Sequence, residues 1–170
     1  MQTEFHCSSP LGLLTLCSDG THLTALNIRT QQTPALSQEE PPLPLFQDVL
    51  RWLKTYFSGG IPTALPPLLP SGTPFQQIVW KLLLKIPYGE LVSYGAVAKQ
   101  VAAALGKPRM SAQAVGGAVG RNPIPILIPC HRVIGSNGSL TGYTGGLAIK
   151  RALLRLEGVP VVNDVVPHFH

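Results

Sequence analysis

Apolar positions along the chain recur with two different periods, which predicts a short strand-bearing start followed by a mostly helical remainder. Gly12-Leu13-Leu14-Thr15-Leu16-Cys17 and His22-Leu23-Thr24-Ala25-Leu26-Asn27-Ile28 are short runs separated by Ser18-Asp19-Gly20, a turn triplet. Together they predict a hairpin. Phe46, Val49, Leu50, Leu53 and Phe57 then fall at helical spacing, with Gly59 as the stop. Further on, Thr73, Pro74 and Gln76 predict a capping box. Thr73 can accept from the third helical N–H while Gln76 reaches back to the cap. Behind it Phe75, Ile78, Val79, Leu82, Leu83 and Ile86 form one apolar stripe. Ser93 predicts the cap of a helix to about Leu105, ended by Gly106 and Pro108, and Ser111 the cap of another to about Gly120. Two short helices joined this way fit helix-turn-helix geometry. Gly135-Ser136-Asn137-Gly138 reads as a turn, residues 141–146 as an ordered loop, and Leu147 to Leu156 as a last helix stopped by Gly158. Past Pro160 the pattern carries no signal.

Two proline-rich stretches, Pro34 to Pro44 and Pro62 to Pro74, punctuate the first half. The second coincides with a change in charge. Residues 1–70 carry three basic against five acidic groups, a net of −2, whereas residues 71–170 carry ten against three, a net of +7. A boundary near residue 70 is therefore expected, giving an α/β chain with an N-terminal sheet-plus-helix domain (1–70) and a largely helical C-terminal domain (71–170). A length of 170 residues and 45% hydrophobic content suffice for real cores. The basic second half suits a polyanion such as nucleic acid, or serves only as solubilising surface. Three cysteines at no disulfide spacing, and no apolar leader, lead to the expectation of a reducing cytoplasm. The apolar runs fall far short of the roughly 20 residues that span a bilayer, so no membrane partner is expected.

The helix from Ser111 is nearly bare on one flank, where Ala112, Ala114, Gly116, Gly117, Ala118 and Gly120 follow one another. Each interior glycine costs about 1 kcal/mol relative to alanine, so close approach to this backbone must compensate. A nucleic-acid groove and tight helix packing are both candidates. The chemistry centres on Pro129-Cys130-His131-Arg132-Val133, which follows the apolar run Ile124-Pro125-Ile126-Leu127-Ile128. A thiol has a pKa of about 8.5 and reacts as thiolate, so a nucleophilic Cys130 needs a base, and His131 is its neighbour. An extended strand would point the two side chains apart, so a bend at Pro129-Cys130 is required. Glu157 sits where the helix macrodipole disfavours an acid, so a local partner is expected, and orienting His131 would supply one. The alternative for Cys130 is a small buried hydrophobe.

Asn122-Pro123-Ile124-Pro125-Ile126-Leu127-Ile128-Pro129-Cys130-His131-Arg132-Val133, then Gly142-Tyr143-Thr144-Gly145-Gly146 and Glu157-Gly158, closely resemble the O6-alkylguanine-DNA alkyltransferases. The resemblance spans most of residues 73–158 and extends loosely to Ser9-Pro10-Leu11-Gly12. It implies a ribonuclease-H-like N-terminal domain and a winged-helix-like C-terminal one. It further implies a single-use, cofactor-free, monomeric protein that flips O6-alkylguanine, or O4-alkylthymine, from duplex DNA and keeps the alkyl group. By that resemblance Cys130 is the acceptor, His131 a base acting through water, Glu157 its orienting group and Asn122 the brace of the active-site turn. Tyr94 helps rotate the nucleotide and protonates guanine N3. Tyr143 is the stacking wall, the Thr144 N–H the donor to O6, and the carbonyls of Cys130 and Val133 accept from the exocyclic amine. Val119 and Pro125 belong to the same pocket. The helix carrying Ser111, Gln113, Ala114, Gly116 and Gly117 is the implied DNA-contacting element. Gln113 stands where relatives often have an arginine finger; it can hydrogen-bond but brings no charge to the vacated stack, so either slower base extrusion or recruitment of Arg109 or Arg121 is expected. Cys7, Cys17, His6 and His22 do not reproduce the zinc spacing of some relatives, so no metal is expected. Two rivals are an alkylated-base sensor without transfer, which Cys130 argues against, and a thiol hydrolase, which would need an oxyanion hole.

Overall fold

The computed structural model describes residues 2–30, 40–143 and 145–169 and divides the chain into two compact units, Met1–Ser71 and Gly72–His170. The first unit holds a three-stranded antiparallel sheet in the order β1 (Thr3–Ser9), β2 (Gly12–Ser18), β3 (Leu23–Arg29), followed by α1 (Pro44–Phe57). The hairpin expected from the sequence is β2–β3, with Leu16 opposite Leu26. β1 escaped the reading because only alternate residues are half-buried and Phe5 is its one large apolar side chain. Phe5 stacks on Phe46 of α1 at 5.7 Å, which seats the helix on the sheet. The second proline-rich stretch lies along β3, where the Leu23 N–H donates to Pro67 O and the Leu69 N–H to Leu23 O. A segment with few donors of its own thus covers a strand edge. Most of the first proline-rich stretch lies outside the described residues.

The second unit begins with α2 (Pro74–Leu83), and the capping box at Thr73 forms in full: the Gln76 N–H donates to Thr73 Oγ1 and the Thr73 N–H to Gln76 Oε1. α3 (Tyr94–Ala104) and α4 (Ala112–Gly120) start at their serine caps, whose hydroxyls accept from the Ala96 and Ala114 N–H groups. The buried Trp80 of α2 donates from Nε1 to the Ala118 carbonyl at 2.9 Å and so pins α2 against one side of α4. That contact uses Ala118. A side chain added at Gly117 or Gly120 would meet open space, and at Gly116 only the Tyr94 ring at 3.7 Å. Tight internal packing accordingly explains one side of α4 and leaves the bare side facing outward.

A parallel pair of two-residue strands, β4 (Val92–Ser93) and β5 (Val133–Ile134), ties the start of α3 to the residues just after Cys130. α5 (Leu147–Leu156) completes the unit. The stretch past Pro160, silent in sequence, is structured. Val161 and Val166 join Ile134, Leu140, Leu154 and Val159 in a buried cluster, and Leu140 N–H donates to Asp164 O. Its valines are too few and too irregularly spaced to announce a strand or helix, and they are held as isolated pairings instead.

Candidate functional site

The site grows from the segment Asn122–Val133. Asn122 is buried and bonds twice within its own loop: its Nδ2 donates to Ile128 O and its Oδ1 accepts from the Ile124 N–H, both at 2.9 Å. The Ile128 N–H also donates to Ile124 O, closing the loop from inside. Between these bonds Ile126 is fully buried with φ at 76°, a conformation β-branched residues avoid. Only a surrounding that over-determines the backbone keeps such a residue in place, and the Asn122 bonds are that surrounding. The chain then leaves the loop as a single 3₁₀ turn, Cys130–Arg132, with Val133 N–H donating to Cys130 O. This is the bend that adjacent cysteine and histidine require.

Cys130, His131 and Arg132 are all buried, and each finds its partners on a different side. His131 is fully enclosed, and its Nε2 meets Glu157 Oε2 in a very short hydrogen bond. The other Glu157 oxygen accepts from Arg132 Nε at 2.7 Å and from the Gly89 N–H at 2.9 Å. Arg132 also donates to Ile86 O and lies over the Tyr88 ring, whose hydroxyl donates to Leu156 O. Glu157 caps the C-terminal end of α5, and these bonds compensate for the unfavourable dipole there. Burial is the main influence on His131 and lowers its pKa below the usual 6.5, opposed by Glu157 and assisted by Arg132 and Lys150. His131 is therefore neutral at neutral pH. Burial likewise raises the Cys130 thiol, partly offset by Asn122, Lys150 and Tyr143. The resting pair is thiol and imidazole rather than thiolate and imidazolium.

Lys150 is the residue that sequence reasoning missed most plainly. Its side chain is fully buried, its Nζ donates to Val133 O at 2.6 Å and to Thr141 O at 3.1 Å, and it lies 5.7 Å from the centroid of the Tyr94 ring. Burial depresses its pKa to about 8, with Cys130 acting in the opposite sense. Thr141 O also accepts from the Tyr94 hydroxyl at 2.9 Å. One carbonyl thus joins Lys150 and Tyr94. The signal available in sequence was a lysine at a position of α5 between the apolar Ile149 and Leu153; Arg132 was similarly overlooked inside the Cys130 motif.

Tyr94, Gln113, Gly116, Thr141 and Tyr143 line an open cleft of about 620 Å³ along α4. Cys130 lies behind this cleft rather than on its wall, near enough to Tyr94 and Tyr143 to raise both phenolic pKa values, though burial is the larger cause in each. The Tyr143 hydroxyl is buried without a hydrogen-bond partner of ordinary geometry, and a Cβ at Gly145 would come within 3.2 Å of its ring. Glycine there leaves room for the Tyr143 ring and for the Ile149 side chain, whose Cδ1 would lie 2.9 Å from such a Cβ. Among the remaining sequence candidates, Gln113 and Gly116 border the cleft, while Ser111, Ala114 and Gly117 stand exposed on α4. Val119 and Val133 are buried and Pro125 is half-buried, none of them on the cleft wall. Val133 O, expected to face a base, already accepts from Lys150. Arg121 is exposed just past α4, and Arg109 lies in a separate groove. Thr144 lies outside the described residues. Among the described residues, no three His, Cys, Asp or Glu side chains gather as metal ligands would, and no helix is long and apolar enough to cross a membrane.

Two family models match the chain: the DNA binding domain of 6-O-methylguanine DNA methyltransferase over residues 74–159, and its ribonuclease-like domain over residues 6–66. A methylated-DNA–protein-cysteine methyltransferase of Haemophilus influenzae is 42% identical over 159 residues, covering 91% of this chain and 86% of the relative. The crystal structure of the Mycobacterium tuberculosis O6-methylguanine methyltransferase matches with a TM-score of 0.78 and 45% identity, over 96% of this chain and 97% of that one. The Mycobacterium tuberculosis protein in complex with DNA matches at 0.76 and 46%, over 89% and 90%. Sequence, fold and both domain models agree, and the chain belongs to the 6-O-methylguanine DNA methyltransferase family.

Proposed function

We propose that this protein repairs DNA by moving the alkyl group of O6-alkylguanine, once and irreversibly, onto Cys130. The observation that carries the reading is the fully buried His131–Glu157 pair directly following a buried cysteine, behind a cleft on a helix-turn-helix unit. A neutral imidazole is the correct partner for a protonated thiol. His131 Nε2 is committed to Glu157, so Nδ1 acts as the base and takes the thiol proton through a water molecule. Glu157, ionised and held by Arg132 and Gly89, stabilises the imidazolium that results. Lys150 and Asn122 favour the developing thiolate.

The sulfur then attacks the alkyl carbon in line. The S–C bond forms as the C–O6 bond breaks, and the electron pair passes to the guanine. Tyr94 is kept protonated by burial, so its hydroxyl is a donor; turned from Thr141 O to guanine N3, it neutralises the leaving base. The step leaves His131 as imidazolium and Tyr94 as phenolate; the imidazolium proton then returns to Tyr94 through water, so the net change is one proton moved from the thiol to the base. The product is a thioether with no good leaving group, so each molecule acts once. Extrusion of the nucleotide into the cleft brings the alkyl carbon to the sulfur, with Tyr143 as stacking surface. Thr144 N–H donating to O6, and the Cys130 and Val133 carbonyls accepting from the exocyclic amine, complete base recognition; Val133 O has its second lone pair for this role. Val119 and Pro125 back the pocket. The exposed side of α4, with Ser111, Gln113, Ala114, Gly116 and Gly117, enters the minor groove, and O4-alkylthymine is a second substrate. Transfer is the work of residues 71–170 as one domain, with 1–70 as another, in a cytoplasmic monomer.

The test is to incubate the protein with duplex DNA containing O6-methylguanine and to analyse the Cys130 peptide by mass spectrometry. One added methyl, absent from Cys130→Ser, is expected. Binding without modification would identify a sensor, and turnover of an activated ester a hydrolase.

A further inference from the structure

No aspartate or glutamate occurs between Glu90 and Glu157, a stretch that carries eight lysines and arginines. Four of them have partners within the fold: Arg132 on Glu157, Lys150 on two carbonyls, Arg151 on Asp164 and Arg155 on Val161 O. Arg121 is exposed at the end of α4. The other three, Lys99, Lys107 and Arg109, line a single groove of about 510 Å³ between α3 and the connection to α4. All three are exposed, and among the described residues none makes an ion pair. Apart from Lys99, the α3 side of the groove is Gly95, Ala98, Ala102 and Ala103, none with a side chain longer than a methyl group, while Pro108 and Met110 line the connection side. Three like charges around a depression without an acid repel one another weakly in water, and their arrangement becomes favourable when an external polyanion enters.

The position of the groove specifies that anion. Ala112, in the first turn of α4, lines both this groove and the cleft beside Tyr94 and Tyr143. The two depressions therefore meet at the start of α4, one apolar and aromatic, the other cationic. We propose that the Lys99, Lys107 and Arg109 groove is a phosphate track, which grips the sugar-phosphate backbone of the same DNA whose damaged base enters the neighbouring cleft. This rests on the alkyl-transfer reading above. The alanine lining lets a backbone lie close to α3, Lys99 and Lys107 supply point charges, and Arg109 supplies a planar fork for a phosphate. The track carries no sequence information, as suits a protein that must search undamaged DNA.

The salt dependence of binding tests this directly. Each phosphate neutralised contributes about 0.9 to the slope of log affinity against log salt, so Lys99→Gln/Lys107→Gln/Arg109→Gln should reduce the slope on undamaged duplex by about 2.7. Raising salt from about 50 to 200 mM should then weaken the wild type about 40-fold more than the triple variant. The side chains are exposed, and an unaltered melting temperature verifies folding. Arg51→Gln/Lys54→Gln on α1 controls for net charge alone. An unchanged slope in the triple variant, or an equal loss per cation in the control, overturns the track. Wild-type methyl transfer to Cys130 alongside an unchanged slope removes the track only; absence of wild-type transfer removes the function on which it rests.

Discussion

The helical unit holds two sets of charged side chains that obey opposite rules. Around Cys130 every charge is buried and held by named partners: Arg132 by Glu157 and Ile86 O, Lys150 by two carbonyls, Glu157 by three donors. Beside α4 the cations Lys99, Lys107, Arg109 and Arg121 are exposed. Burying a charge costs several kcal/mol unless its partners are in place, so the inner set is held in one arrangement, which under the proposed function serves to move one proton. The outer set costs little and waits for charge from outside. Under the two proposals above, chemistry falls to the inner set and search to the outer one.

Cys130→Ser breaks the comparison most completely. Methyl transfer should vanish, while DNA affinity, which the phosphate-track proposal assigns to the outer set, should stay near the wild-type value in a gel-shift titration. Glu157→Gln attacks the inner set next. It leaves Arg132 facing a neutral amide and removes the anion that supports the imidazolium, so the single-turnover rate should fall by about 10² to 10⁴ and urea unfolding should show a loss of about 3–5 kcal/mol. The acid limb of the wild-type rate profile should lie below 6.5, because burial lowers His131. In Glu157→Gln the limb should move lower still, since Glu157 is what raises that pKa.

Lys150→Met gives a smaller effect with a definite sign. In the folded protein Lys150 has a pKa of about 8 against an ordinary 10.5, so below about pH 8 its burial as an ammonium opposes folding. The opposition fades as pH rises from 8 to 10.5, where the unfolded chain still binds the proton and the folded chain does not. Wild-type stability relative to Lys150→Met should therefore rise by about 3 kcal/mol across that window in paired urea titrations. Groups remote from Lys150 cancel in the difference, and making both titrations in a Cys130→Ser background removes the coupled thiol. Gln113→Arg sharpens the outer side: a cation at the cleft edge should speed repair a few-fold at low DNA concentration, measured as initial rate. An unchanged or slower rate would show that another side chain already fills the vacated stack.

Much of this architecture was legible because its signals are local. Thr73, Ser93 and Ser111 announce helix starts through their own hydroxyls, and all three cap as expected. The Cys130 motif was legible as a resemblance, and the dipole argument singled out Glu157 as an acid in need of a partner. What stayed hidden depends on distant partners. Lys150 looks like a surface lysine until Val133 O and Thr141 O close on it. The Arg132–Glu157 pair spans 25 residues, and the pairing of β4 with β5 joins Val92 to Val133. Two-residue strands have no periodicity to detect. The left-handed Ile126 is invisible for a similar reason, since only the Asn122 bonds make it tolerable. The open side of α4 could not be distinguished from a packing face until Trp80 was found on Ala118 instead.

The most direct measurement is the stoichiometry of transfer. With duplex O6-methylguanine in large excess, the methyl groups lost from DNA should plateau at one per protein molecule. Continued consumption beyond that value, or none at all, would contradict the claim that Cys130 accepts the alkyl group and retains it.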